Sequence, residues 1–184
     1  ARGLTVSTFH NLGLNIIRRE AKTLGFKPGF SIFDAEDARA LLKELMMKDG
    51  EMDNDHLNMV QNQISNWKND LTSPETAEEL AQSPAELTMV RIYERYNQAL
   101  RAYNAVDFDD LILVPVHLFN TNPEVLSRWQ RKIQYLLVDE YQDTNSSQYL
   151  LVKQLVGGRN ALTVVGDDDQ SIYAWRGARP ENLV

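Results

Sequence analysis

Cysteine does not occur among the 184 residues, which excludes disulfides and thiolate metal sites. Any metal would be bound by oxygen or histidine, and 26 acidic residues against three histidines favour oxygen. No apolar run approaches the roughly 18 to 20 residues of a membrane span, and the opening ARGLTVSTFH lacks the apolar core and cleavage pattern of a signal peptide. A cytoplasmic protein without membrane contact is the expectation. Positive charge is not in excess either: the formal net charge is −7, which argues against a surface coated in basic groups for nucleic acid. Repeats and low-complexity tracts are missing. What is present, 43% hydrophobic and 24% charged residues, suits one ordinary globular domain or two small ones.

The acidity is local. Between Lys27 and Val106 there are 8 basic and 14 acidic residues, which leaves 11 and 12 for the rest of the chain. A narrow nucleic-acid path through the outer segments is compatible with that balance. Hydrophobic periodicity divides the chain at similar points. LTVSTFH is β-prone, and Leu12, Ile16, Ile17 and Leu24 follow at helical spacing as far as Gly25. From Phe33 to Tyr103 the spacing is helical throughout. Ala38, Leu41, Leu42 and Leu45 follow an Asp34 cap; Leu57, Val60, Ile64, Trp67 and Leu71 form a second stripe; Leu87, Val90, Tyr93, Asn97 and Leu100 form a third after Pro84. These stripes are expected to be core. VDFDDLILVPVHLF is expected to be helical with Pro115 as a kink or stop, and PEVLSRWQRK to be a helix opened by proline.

YLLVDE and ALTVVGD are short apolar runs ending in acids, separated by the helical SSQYLLVKQLVGG. Strand, helix, strand in that order predicts a parallel pair with a right-handed crossover. The fold class expected is α/β, with a partial parallel sheet interrupted by an all-helical inserted subdomain. Three segments follow: 1–26, 27–106 and 107–184.

Ligands of open parallel sheets bind beyond the carboxyl ends of the strands, which is where Asp139, Glu140 and the acids of VVGDDDQ fall. Successive strand residues point to opposite sides, so one carboxylate of the Asp139–Glu140 pair can face a magnesium ion and the other an attacking water. LLVDE alone also fits a solvent-side strand end. The second cluster, VVGDDDQSIYAWRGA, is read as one short loop. In it Gln170 can contact a terminal phosphate or a water, Tyr173 and Trp175 can stack unpaired bases at roughly 1 to 3 kcal/mol each, and Arg176 can pair with phosphate. Taken alone, the two aromatics also fit a small core beneath a loop.

LLVDEYQDTN and VVGDDDQSIYAWRGA resemble the Walker B element and the following motif of superfamily 1A DNA helicases of the UvrD/PcrA/Rep type. TVSTFH and VDFDDLI are similar to two further elements of that family, and FSIFD and ISNWKND carry the likeness through the middle. The resemblance implies a RecA-like domain 1A in two pieces with subdomain 1B inserted, and an ATP-dependent helicase using ATP and Mg2+ on single-stranded DNA and duplex junctions. It implies that Asp139 binds the metal and nucleotide, that Glu140 polarises the attacking water, and that Gln170 senses the γ-phosphate. Thr8, Phe9, His10, Tyr173, Trp175 and Arg176 would contact DNA, Gln142 and Asp143 would support the site, and helices of the middle block would present basic residues such as Lys68 to DNA. Replication or repair proteins are the partners such an enzyme meets.

No stretch of these residues matches G-x-x-x-x-G-K-[ST], the loop that cradles phosphates. By family order it would precede Ala1, and a second RecA-like domain would follow Val184. The chain is therefore expected to be an internal section of a helicase, without ATPase or unwinding activity alone and prone to self-association through open sheet edges. Two other classes stand beside this one, and for the chain by itself the first is close to the expectation just given. A non-catalytic module binding DNA or a protein partner needs no cradle, and a metal-dependent nuclease built on Asp139, Asp167, Asp168 and Asp169 leaves Gln170, Trp175 and Arg176 without a use.

Overall fold

A computed structural model describes residues 4–47, 53–132, 135–139, 146–157, 161–165 and 172–176. Two compact units divide the chain, Ala1–Leu24 with Leu111–Val184, and Gly25–Asp110.

The first unit carries a four-stranded sheet. Strands β1 (Leu4–Thr8), β4 (Tyr135–Asp139), β5 (Ala161–Val165) and β6 (Ile172–Arg176) lie in that order. The pairs β1–β4 and β4–β5 are parallel, as the strand–helix–strand spacing predicts, and β5–β6 is antiparallel. Residues 172–176 were expected in a loop. They pair instead with β5, and the alternating β-prone residues of IYAWR are the local reason. Helices α1 (Phe9–Arg19), α2 (Ala21–Leu24), α8 (Pro123–Lys132) and α9 (Ser146–Val156) belong to this unit, as does nearly all of α7 (Asp110–Thr121). Phe9, Leu12, Ile16, Ile17, Ile112, Phe119, Leu151 and Leu155 are buried.

Pro115 neither stops nor ends α7. Its missing N–H releases the carbonyl four residues earlier, that of Leu111, and this carbonyl lies against Gly13 of α1. A Cβ on Gly13 would come 1.6 Å from the Leu111 oxygen, so the close approach requires glycine there.

The second unit is mainly helical: α3 (Ala35–Met47), α4 (Asn54–Asn69), α5 (Pro74–Leu80) and α6 (Pro84–Ala102). It is not all-helical as expected. Strand β2 (Ser31–Phe33) pairs in parallel with β3 (Ala105–Asp107), which takes the first residues of VDFDDLI out of the predicted helix. Asn104, in the left-handed region at φ 53°, donates its side-chain amide to the Lys27 carbonyl at 3.0 Å and accepts from the Lys27 N–H at 3.0 Å. The first and last turns of the unit are thereby tied. Asp34 caps α3 as expected: it accepts from the Asp37 N–H at 2.8 Å while the Asp37 carboxylate accepts from the Asp34 N–H at 3.1 Å. The core joins Leu41, Leu42, Leu57, Val60, Ile64, Tyr93, Tyr96 and Leu100. Trp67 stacks on Tyr93 at 5.1 Å. Leu87, expected in the stripe, is exposed.

Candidate functional site

The parallel register aligns the carboxyl ends of three strands. Thr8 pairs with Asp139, Asp139 with Val165, and Val165 with Ile172. Thr8 is also the N-cap of α1, in extended conformation, with its hydroxyl accepting from the Asn11 N–H at 3.1 Å. Strand end and helix start therefore meet at one residue, beside the aspartate that closes β4. Phe9 is buried and anchors α1, whereas Thr8 and His10 are half-buried at this edge. Tyr173 pairs with Val164, one step in from the edge; Trp175 pairs with Leu162 and Arg176 with Ala161. Arg176 is thus four residues, about 13 Å of strand, from the row of Asp139. Glu140, Gln142, Asp143, Asp167, Asp168, Asp169 and Gln170 lie outside the described residues. Among the described residues no group of three His, Asp or Glu side chains could hold a metal ion.

A different charge centre, not foreseen as a site, is buried in the helical unit. Lys68 is 2% exposed, so it does not present its charge to a ligand as expected. Its ammonium donates at 2.9 Å to Asp107 Oδ2 and at 2.9 Å to Asp110 Oδ1. Asp107 accepts in addition from Tyr96 Oη at 2.7 Å and from the Asp110 N–H at 2.9 Å, and Asp110 accepts from the Asp107 N–H at 3.2 Å. Lys68 Nζ also lies 5.2 Å from the centre of the Tyr96 ring.

Burial opposes charge on Lys68, but the fields of Asp110 and Asp107 outweigh it and raise its pKa. Burial likewise opposes charge on Asp107, and Lys68 with the Tyr96 hydroxyl outweighs that, holding the carboxyl below its ordinary range. Asp110 has fewer donors and faces the charged Asp107, so burial pushes it up to about 6. One lysine cannot fully compensate two enclosed carboxylates. Beside this centre a cleft of about 340 Å³ is lined by Phe33, Asp34, Gln61, Ser65, Tyr96, Asp107 and Asp109 among others. The Asp107 oxygens on its wall are already occupied, and Asp109, whose pKa is raised by burial and by Asp107, accepts from the side chains of Ser65 and Asn69.

A family model, the UvrD/REP helicase N-terminal domain, matches residues 1–184. The chain belongs to the UvrD/REP helicase family. Curated relatives agree. The chain is 58% identical over its whole length to the ATP-dependent DNA helicase Rep of Escherichia coli K12, and 57% identical to that of Salmonella typhimurium LT2. It is 40% identical over its whole length to the ATP-dependent DNA helicase PcrA of Leuconostoc citreum. It spans 27% of the length of the two Rep proteins and 25% of the PcrA protein.

Two family-like motifs can thus be placed by contact. TVSTFH forms the β1–α1 corner, and VDFDDLI forms the β3–α7 corner, whose first and last acids hold Lys68. Sequence reasoning gave these two acids no role. The available signal was Lys68 itself, which continues the Leu57, Val60, Ile64 stripe at a spacing of four.

A third polar centre in the sheet-bearing unit was also missed. Glu20, at the break between α1 and α2, is 5% exposed. It accepts from Arg128 Nη1 at 3.0 Å, Arg128 Nη2 at 3.3 Å and Trp129 Nε1 at 3.2 Å. This acid fixes the end of α1 to α8, and nothing local in EAKTLG announces it.

Proposed function

We propose that this chain is part of an ATP-driven DNA helicase that moves along single-stranded DNA and opens duplex junctions. The sheet-bearing unit is read as part of a RecA-like domain, 1A, and the helical unit as its inserted subdomain, 1B. The observation that carries this reading is the pairing of Thr8 with Asp139. Two motifs 131 residues apart, one assigned to DNA and one to nucleotide, end side by side on adjacent strands. Coupling nucleotide state to a DNA strand needs that proximity.

In this reading Asp139 holds the magnesium of Mg-ATP. A carboxylate closing a central parallel strand is the hard oxygen donor that Mg2+ prefers, and Mg2+ takes only one or two such protein ligands. The bound ion would neutralise charge developing on the phosphates. Glu140 orients and polarises the attacking water, and Gln170 contacts the γ-phosphate and connects it to β6. Tyr173 and Trp175 stack bases, Arg176 supports the strand, and Thr8 and His10 touch its backbone with Phe9 as their buried footing. Each base-pair step opened costs roughly 1.4 kcal/mol of stacking.

These 184 residues contain no phosphate-cradling lysine loop, and phosphoryl transfer depends on positioning and charge stabilisation. The chain alone should therefore hydrolyse no ATP. In the parent protein Glu140→Gln should abolish turnover while DNA affinity persists, and Trp175→Ala should keep basal ATPase while translocation fails. Identical phenotypes for the two substitutions would refute the division of labour.

A further inference from the structure

The sheet-bearing unit gathers positive charge away from the edge just described. Residues 18–22 and 128–132 contain six of the chain's 19 lysines and arginines and a single acid, Glu20. Glu20 holds Arg128 through two of its five N–H donors, and Arg128 remains 56% exposed. Lys132 Nζ lies 5.0 Å from the Trp129 ring centre. Glu20 receives both Arg128 and the Trp129 N–H, and Lys132 stands over that same ring, so Arg128, Lys132 and Arg19, the neighbour of Glu20 in sequence, gather around one acid. Slight desolvation, and then Arg19 and Arg128 beyond what Glu20 offsets, lower the Lys132 pKa accordingly.

This cluster is remote from the carboxyl edge. Glu20 ends the helix that Thr8 begins, twelve residues or about 18 Å away, and Lys132 precedes the amino end of β4 by three residues. The surroundings decide what the cluster can hold. Val125, Trp129, Ile16 and Ile17 are buried, and no exposed large apolar side chain among the described residues lies in α1, α2 or α8. A protein partner would lack the buried anchor that dominates such interfaces, and Trp129, the aromatic residue of α1, α2 and α8 nearest the cations, is covered and offers no face to a base. Phosphate needs neither.

We propose that Arg19, Arg128 and Lys132 form a second DNA contact, gripping the phosphodiester backbone without regard to sequence. It rests on the reading of the parent protein as a DNA helicase and adds to the strand contact assigned above, whose Arg176 lies by register in the row of Tyr135, the end of β4 that Lys132 precedes.

The test uses the parent protein with Arg19→Gln and Lys132→Gln combined; both side chains are exposed, and Arg128 is left to hold Glu20. Affinity for a duplex with a long single-stranded tail is measured against salt, alongside ATPase stimulated by a short oligothymidylate. Losing two phosphate contacts should make the log–log salt slope shallower by about 1.8 and weaken binding at low salt by roughly tenfold. ATPase on the short oligonucleotide should be unchanged, and Arg19→Lys with Lys132→Arg should keep the wild-type slope. Wild-type slope and affinity in the double glutamine variant would overturn the proposal. So would an unchanged slope accompanied by lost binding to polyglutamate, which would assign the cluster to an acidic protein. Absence of any DNA-stimulated ATPase in the wild-type parent would instead refute the helicase reading, while the salt slope would still judge the second contact.

Discussion

The two units bury charge in opposite ways. In the helical unit a lysine is sealed inside with two carboxylates, and side-chain exposures of 2%, 7% and 13% leave no member of the trio in water. In the sheet-bearing unit a carboxylate is sealed while its arginine partner stays half in solvent. The first arrangement has one net negative charge that no solvent relaxes; in the second, the exposed guanidinium can reorganise at little cost. The closed centre should therefore act as a structural pin whose parts cannot be removed singly, and the half-open one as a joint with a free outer face.

Removing the enclosed cation should break the contrast most severely. Lys68→Met leaves Asp107 and Asp110 facing each other without compensation, a loss of about 3–5 kcal/mol. Chemical denaturation would measure it, and adding Asp107→Asn and Asp110→Asn to the same chain should recover part of it. A loss below about 1 kcal/mol would show that water reaches the trio. Arg128→Ala should cost less, about 1.5–3 kcal/mol, because Glu20 keeps its bond from Trp129 while losing a charged donor pair. Equal costs for the two substitutions would erase the distinction between closed and half-open burial.

Much of the architecture was legible because it is written in periodicity. The β4–α9–β5 crossover, the Asp34 cap and the helices opened by Pro84 and Pro123 follow from spacing and capping chemistry. What escaped depends on partners distant in sequence. The family resemblance put Lys68 on a surface facing DNA, although its place on the Leu57–Val60–Ile64 face puts it in the core; its acids lie 39 and 42 residues away. Glu20 and Arg128 are separated by 108 residues. Strand β2 is three residues long, too short for alternation to outweigh the helical pattern that follows. IYAWR has β-prone residues, but the acids and glutamine before it carried the whole stretch into a loop reading, and its place at the edge of the sheet comes from pairing with β5. At the candidate site the sequence supplied the motifs, and the register supplied the adjacency of Thr8 and Asp139.

The subtlest consequence of the closed trio concerns pH. Asp110 has a pKa of about 6 in the fold against 3.8 ordinarily. Between about pH 4 and pH 6 the folded protein therefore retains a proton that the unfolded chain has released, so this group's contribution to stability falls as pH rises through that window. Asp109, also raised by burial, acts in the same direction. Asp107 acts oppositely: its depressed pKa gives stability that is present above its ordinary value of 3.8 and is lost as pH falls through the lowered one. Lys68, raised above 10.5, contributes in full across the whole range below that value. Replacing Asp110 by asparagine removes one titration and leaves the others, so urea midpoints of wild type and Asp110→Asn should be compared at pH 4 and pH 7. The variant should gain on wild type as pH rises, by an amount on the order of 1 kcal/mol or more. A difference independent of pH would mean that Asp110 is already ionised at pH 4, and that the single lysine compensates both acids after all.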